Sequence, residues 1–239
     1  MPYHITEYLP DLDVPVAAGR VVSADLAPGD PWAAMGVLYE RVAAAVAEEV
    51  GAGRRPTVVS GDCTTAIGTV TGLQRAGLDP AVVWFDGHGD VQSLETTASG
   101  YLGGLPLRIL VGYRPELIAE RLGLRAVPES RAVLVDARDL DPPEVEYLDR
   151  SAIRRCPVDE VPVPDGPLYL HIDLDVVDPG EVPGLRFPAP GGPGLPAVAE
   201  AVERVLATGR VAAVGLACTW YPGRGGADAV RRVATLAGL

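Results

Sequence analysis

Ala81-Val82-Val83-Trp84-Phe85-Asp86-Gly87-His88-Gly89-Asp90 is the stretch whose reading decides the fold. Its apolar run is rich in β-branched and aromatic side chains, which reads as a strand buried on both faces. The polar, glycine-broken tail reads as the loop at that strand's carboxyl end. A second stretch of the same kind runs from Leu168 to Asp173 and continues as Leu174-Asp175-Val176-Val177-Asp178-Pro179. Strands apolar on both faces belong to parallel sheets covered by helices, so the fold class is α/β.

Outward from these two, further strands are expected at Arg20–Ala24, Thr57–Ser60, Ala132–Asp136 and Val211–Cys218. Helical periodicity predicts helices at Trp32–Val50, Thr65–Ala76, Pro115–Leu122, Pro142–Arg150, Leu195–Thr208 and Ala227–Leu236. No repeat or long linker divides residues 1–239, so one domain is expected. The Gly/Pro-dense stretch Asp178–Pro196 lacks any period and is long for a passive connection, which marks it as an ordered active-site loop.

Composition removes several functions. With 239 residues, 48% of them hydrophobic, the chain closes a core without disulfide or metal staples, so a metal would be present for chemistry. The 20 basic residues against 32 acidic ones leave a net charge of -12, which disfavours nucleic acid and anionic membrane surfaces as partners. All the basic side chains are Arg, so a Walker A lysine and Schiff-base chemistry are both excluded. The three cysteines are too few for a disulfide framework, and no start segment joins a basic head to an apolar run, so a reducing cytoplasm is expected. No run approaches the roughly 18–20 apolar residues of a spanning helix.

The chemistry lies in two acidic clusters. In extended chain alternate residues share a face, so Asp86, His88 and Asp90 are expected to point into one space, as are Asp173 and Asp175. If the two strands are neighbours, both sets meet at the carboxyl edge of the sheet, where open α/β sheets bind ligands. Carboxylates crowded there repel one another, and a divalent cation removes that conflict. Oxygen donors with one imidazole suit Mn2+, and less selectively Zn2+ or Fe2+. Bridging carboxylates favour two ions about 3.5–4 Å apart over one. Strand-end Asp residues also cap helices and tie turns, but two of the chain's three histidines lie inside these clusters, which favours the metal. His171 is read as a residue behind the ligands or in the core.

The ordered motifs FDGHGD, ETTASGYLGG, ARDLDPPE and HIDLDVVDP resemble the ureohydrolases (arginases, agmatinases and relatives) from about Thr57 to Pro222. The resemblance implies a three-layer α/β/α fold around a mainly parallel sheet and a binuclear manganese site. Asp86 and Asp173 would be shared by both ions, His88 and Asp175 would complete one site, and Asp90 would belong to the other. That site's remaining ligand falls at Cys63, where the family normally has His. A thiolate is softer than imidazole, and a small buried hydrophobe is the alternative role for Cys63. The resemblance also places Gln92, Thr97 and Ser99 at the contacts to an amino-acid carboxylate, and Asp141, with Glu144 behind it, at the α-amino group. Gly103 stands where arginases carry a proton-shuttling His. Thr219 or Cys218 stands where the family places a Glu against the guanidinium.

These departures are similar to the N-hydroxy-arginine hydrolase branch, whose substrate is less basic than a guanidine. The implied function is hydrolysis of a linear C–N bond in a guanidino or N-hydroxyguanidino compound to urea or hydroxyurea, with Asp90 orienting the attacking water and passing its proton to the leaving amine. A mononuclear deacetylase-like hydrolase using Asp86, His88 and Asp173, and a catalytically silent binding protein, stay open. The resemblance leaves a homo-oligomer open as well.

Overall fold

A computed structural model describes residues 19–217. The helix α1, Pro31–Gly51, starts where Asp30 caps it, its carboxylate accepting from the Trp32 and Ala33 amides, with Pro31 in the first turn. Then follow β1, Thr57–Ser60; α2, Thr65–Arg75; and β2, Ala81–Asp86. Two short helices, α3 (Pro106–Leu110) and α4 (Ala119–Leu122), lead to β3, Ala132–Asp136. The chain continues through α5 (Pro142–Leu148), β4 (Arg154–Cys156), β5 (Leu168–Asp173), α6 (Leu195–Leu206) and β6 (Val211–Ala217).

Among the described residues the strands form one parallel sheet of order β1-β6-β5-β2-β3-β4. Its two faces are buried separately. Val82, Trp84, Leu134 and Tyr169 pack with α1 and α2 on one side, while Val83, Phe85, Leu170 and Ile172 pack with α6 on the other. The result is the expected three layers. From β2 the chain winds outward through β3 and β4, then returns to place β5 on the other side of β2. The β2/β5 boundary is therefore the place where strand order reverses, the usual binding crevice of an open sheet.

Most expected elements are present, with four corrections. Arg20–Ala24 is not a strand: Val21 is 79% exposed, and Val22 and Ala24 rest on the first core without a strand partner. Its period of two reflects one side lying on packed helices, not a sheet. Pro115–Leu122 is broken at Ile118, whose φ of -155° separates a 3-10 turn, Pro115–Leu117, from α4. The short β4 and α3 carry too few residues to show a period. Thr219, the end of the last expected strand at Cys218 and the expected helix Ala227–Leu236 lie outside the described residues.

The helices α1 and α2 meet through glycine. A Cβ on Gly72 would lie 2.6 Å from Val46 Cβ and 2.7 Å from the Ala43 carbonyl, and one on Gly68 3.0 Å from the Tyr39 carbonyl. Gly72→Ala should therefore push the helices apart and destabilise the protein by about 1–3 kcal/mol. A lower urea midpoint with an unchanged slope would show it.

Candidate metal centre

The β2 and β5 strands are direct neighbours, Trp84 facing His171 and Phe85 facing Ile172 in register, so both acidic clusters reach the same carboxyl edge. They converge by turning rather than by extended alternation. The β2 strand ends at Asp86, and Asp90 sits at φ +52°, a left-handed conformation that Asp tolerates. The β5 strand ends at Asp173, whose carboxylate accepts the Asp175 amide at 3.0 Å as the chain enters a 3-10 turn over Leu174–Val176.

Asp86 is the hub. Its oxygens accept from Trp84 Nε1 at 2.9 Å and from the His88 amide at 2.7 Å. His88 Nδ1 lies 2.9 Å from Asp175 and 3.6 Å from Asp86, and the other Asp175 oxygen accepts the Gly87 amide at 2.9 Å. On the opposite side Cys63 donates its thiol to Asp173 at 2.8 Å, and His171 Nε2 stands 3.3 Å from Cys63 Sγ.

Cys63, Asp86, His88, Asp90, Asp173 and Asp175 line a cleft of about 170 Å³, together with Gln92, Thr97, Ser99, Asp141 and Glu144. Every described residue that the sequence singled out for binding therefore borders one space. Gln92 Nε2 donates to Asp141 at 2.8 Å, and Ser99 Oγ accepts the Tyr101 amide at 3.2 Å. Glu144 is buried, its carboxylate taken by the Asp141 and Val91 amides at 3.1 and 3.2 Å, so it holds the wall from behind.

Sequence reasoning missed Tyr101, Leu185 and Phe187, which form the apolar part of the lining. Tyr101 donates its hydroxyl to buried Asp62 at 2.7 Å, and its ring packs against Phe187 at 4.8 Å. A Cβ on Gly103 would come within 2.3–2.5 Å of the Tyr101 ring and hydroxyl. Loop aromatics carry no periodic signal, so only adjacency to the recognised motif could have flagged them.

The electrostatics call for a cation. Burial, reinforced by neighbouring carboxylates, pushes Asp90 and Asp173 well above the usual carboxylate range, and lifts Asp175 to about 7. Burial and the same carboxylates push the Cys63 thiol up. Burial opposes charge on His88, yet its bonds to Asp175 and Asp86 outweigh that and hold it up to about 12. Burial drives His171 down to about 3, leaving a neutral imidazole.

Asp90 Oδ2 is buried with no hydrogen-bond partner, an orphan that a bound cation would satisfy. Among the described residues two donor triads have their ligand atoms within 4.8 Å of one another: Cys63, Asp86 and His171, and Asp86, His88 and Asp175. Both include Asp86, and the donor sets fit divalent cations.

The loop after β5 is pinned over this centre. Arg138 is ion-paired with Asp136 and donates to the carbonyls of Val176, Asp175, Ala189 and Pro190 at 2.8–3.1 Å. Arg138→Ala should leave those acceptors unpaired and cost about 1–3 kcal/mol. Amide exchange over residues 176–190 should rise while α1 and α2 stay protected.

Comparison with known proteins agrees with this geometry. Residues 3–218 match the model of the Arginase family. The N(omega)-hydroxy-L-arginine amidinohydrolase of Streptomyces lavendulae is 34% identical over 180 residues, covering 72% of this chain and 63% of that protein. The arginase of Bacillus caldovelox is 32% identical over 171 residues, covering 64% and 57%. The chain thus spans roughly six-tenths of the length of these relatives. The solved Bacillus caldovelox arginase superposes with a TM-score of 0.77 at 26% identity over 98% of this chain and 89% of that one. With its sheet order, its convergent strand ends and a family match that runs nearly end to end, the chain belongs to the arginase family.

Proposed function

We propose that this chain is a metal-dependent amidinohydrolase that cleaves a linear C–N bond in a guanidino or N-hydroxyguanidino compound, releasing urea or hydroxyurea. The observation that carries the reading is Asp86, shared by two donor triads at the β2/β5 edge. His88 and Asp175 would hold one divalent ion with Asp86, and Asp173 would lend its carboxylate to both sites. Cys63 and Asp90 would hold the second ion. Two divalent ions per chain are the proposed complement, with Mn2+ at the Asp86–His88–Asp175 corner. Bound ions supply a water acidic enough to yield a nucleophile near neutral pH.

The chain's own groups do the rest. Asp90, holding the ion through one carboxylate oxygen, would accept a hydrogen bond from the attacking water on the other and then carry its proton to the leaving amine. Thr97, Ser99, Gln92 and Asp141 offer donors and acceptors along one wall for an amino-acid end. Leu185, Phe187 and Tyr101 exclude water along the rest.

A less basic N-hydroxyguanidine is the substrate class favoured here, because the position at which the family pairs a Glu with the guanidinium falls at Thr219 or Cys218, neither of which brings a carboxylate. The name of the Streptomyces lavendulae relative supports the same choice.

With manganese present, N-hydroxy-L-arginine should turn over faster than L-arginine; a clear preference for arginine would overturn the substrate assignment. Asp86→Ala or Asp173→Ala should lose bound metal by elemental analysis. Their activity should fall by more than the roughly 10–100-fold typical of residues that only orient ligands. Retained activity in either variant would refute the site.

A further inference from the structure

We propose that the Cys63 corner is a metal site of a different kind from its neighbour. In it Cys63 Sγ, His171 Nε2 and an Asp86 oxygen are the protein ligands of a borderline-soft divalent ion such as zinc. The inference rests on the proposed reading that divalent ions occupy the cleft; at this corner it puts His171 in place of Asp173 and Asp90, and it adds an ion preference.

His171 is held from three sides. Its ring stacks on Trp84 with centroids 3.6 Å apart and planes 20° from parallel. Its Nδ1 lies 2.9 Å from the Tyr169 hydroxyl. Beside it Gly215 has no side chain to offer, and a Cβ there would stand 2.0 Å from that hydroxyl and 3.1 Å from Nδ1. The ring is therefore fixed with Nε2 aimed at Cys63.

Its 3.3 Å separation from Sγ is close to what one ion requires. Bonds of about 2.3 Å to sulfur and 2.0–2.1 Å to nitrogen at a tetrahedral angle put the two donors roughly 3.5 Å apart. With Nδ1–H donated to the Tyr169 oxygen, the Nε2 lone pair faces the site, the arrangement in which a ligating imidazole is ordinarily oriented from behind. The unpartnered oxygen of buried Asp90 borders the same cleft as Cys63 and Asp86.

Sulfur, nitrogen and carboxylate together favour zinc, cobalt or ferrous iron over manganese. The Asp86–His88–Asp175 corner, with oxygen donors and one imidazole, keeps the manganese preference. The two corners therefore differ in the ion they prefer.

The test is zinc X-ray absorption on the His4→Asn/His88→Asn variant carrying one zinc per chain, so that an imidazole signal arises from His171 alone. One sulfur at about 2.3 Å with one imidazole supports the site. Sulfur without imidazole overturns it, leaving His171 as a hydrogen-bond partner of the thiolate. Zinc held by oxygens alone also overturns it, while the metal-dependent reading stands. Failure of both wild type and variant to bind zinc or manganese removes both.

If that double variant does not fold, one equivalent of cobalt in the wild-type chain serves. A thiolate-to-cobalt charge-transfer band lost in Cys63→Ser, and a paramagnetically shifted ring N–H resonance lost in His171→Gln, are expected. A resonance untouched by His171→Gln overturns the assignment.

Discussion

Four carboxylates and a thiol crowd the end of two neighbouring strands, and their mutual repulsion is the constraint to which the surrounding structure answers. Asp86, Asp90, Asp173 and Asp175 cannot all be ionised in so small a buried space without countercharge, and Asp90 and Asp173 are accordingly driven toward their protonated forms. Several fixed donors hold these groups in place. The indole of Trp84 and the amides of Gly87, His88 and Asp175 all point at the cluster. What the protein does not supply is a partner for Asp90 Oδ2, and that omission is chemical room for a cation.

The sheet makes this concentration of charge affordable because the strands beneath it are apolar on both faces and locked in register. The backbone has to come very close around the site: a Cβ on Gly87 would lie 2.6 Å from Ala189 Cβ, and one on Gly89 2.7 Å from Glu144. Glycine at these two positions lets the loop after β5 and the capped start of α5 pack directly on the first acidic turn. Arg138, ion-paired with Asp136 at the end of β3, then fastens that loop through four charge-assisted carbonyl contacts, a strong anchor at an otherwise irregular segment.

Much of this was legible in the sequence because parallel-sheet physics writes itself plainly. Runs such as Ala81–Phe85 and Leu168–Ile172 can only be buried strands, and polar residues gathered at their ends can only meet at one edge. The route to convergence was not legible. Period two suggested extended alternation, whereas a left-handed Asp90 and a 3-10 turn after Asp173 bring the carboxylates together. Arg20–Ala24 misled for a related reason, since alternation is also produced by a chain lying on helices. Tyr101, Asp62 and Phe187 were invisible because their roles depend on contacts between loops far apart in sequence.

Those contacts also explain why two departures from the family pattern occur together. Cys63 follows Asp62, and Asp62 receives the Tyr101 hydroxyl. Tyr101 in turn lies where any side chain at position 103 would have to be, so Gly103 is the condition for its placement. A large side chain at 103 would expel Tyr101 and take one hydrogen-bond donor from the Asp62 carboxylate beside Cys63, leaving it to the Thr64 amide and hydroxyl. The glycine in place of a proton-carrying residue is thus tied to the thiol in place of an imidazole through one hydrogen bond. On the proposed reading the two belong to a single rearrangement of the site, in which an aromatic wall and a thiol would stand where the family resemblance puts two imidazoles.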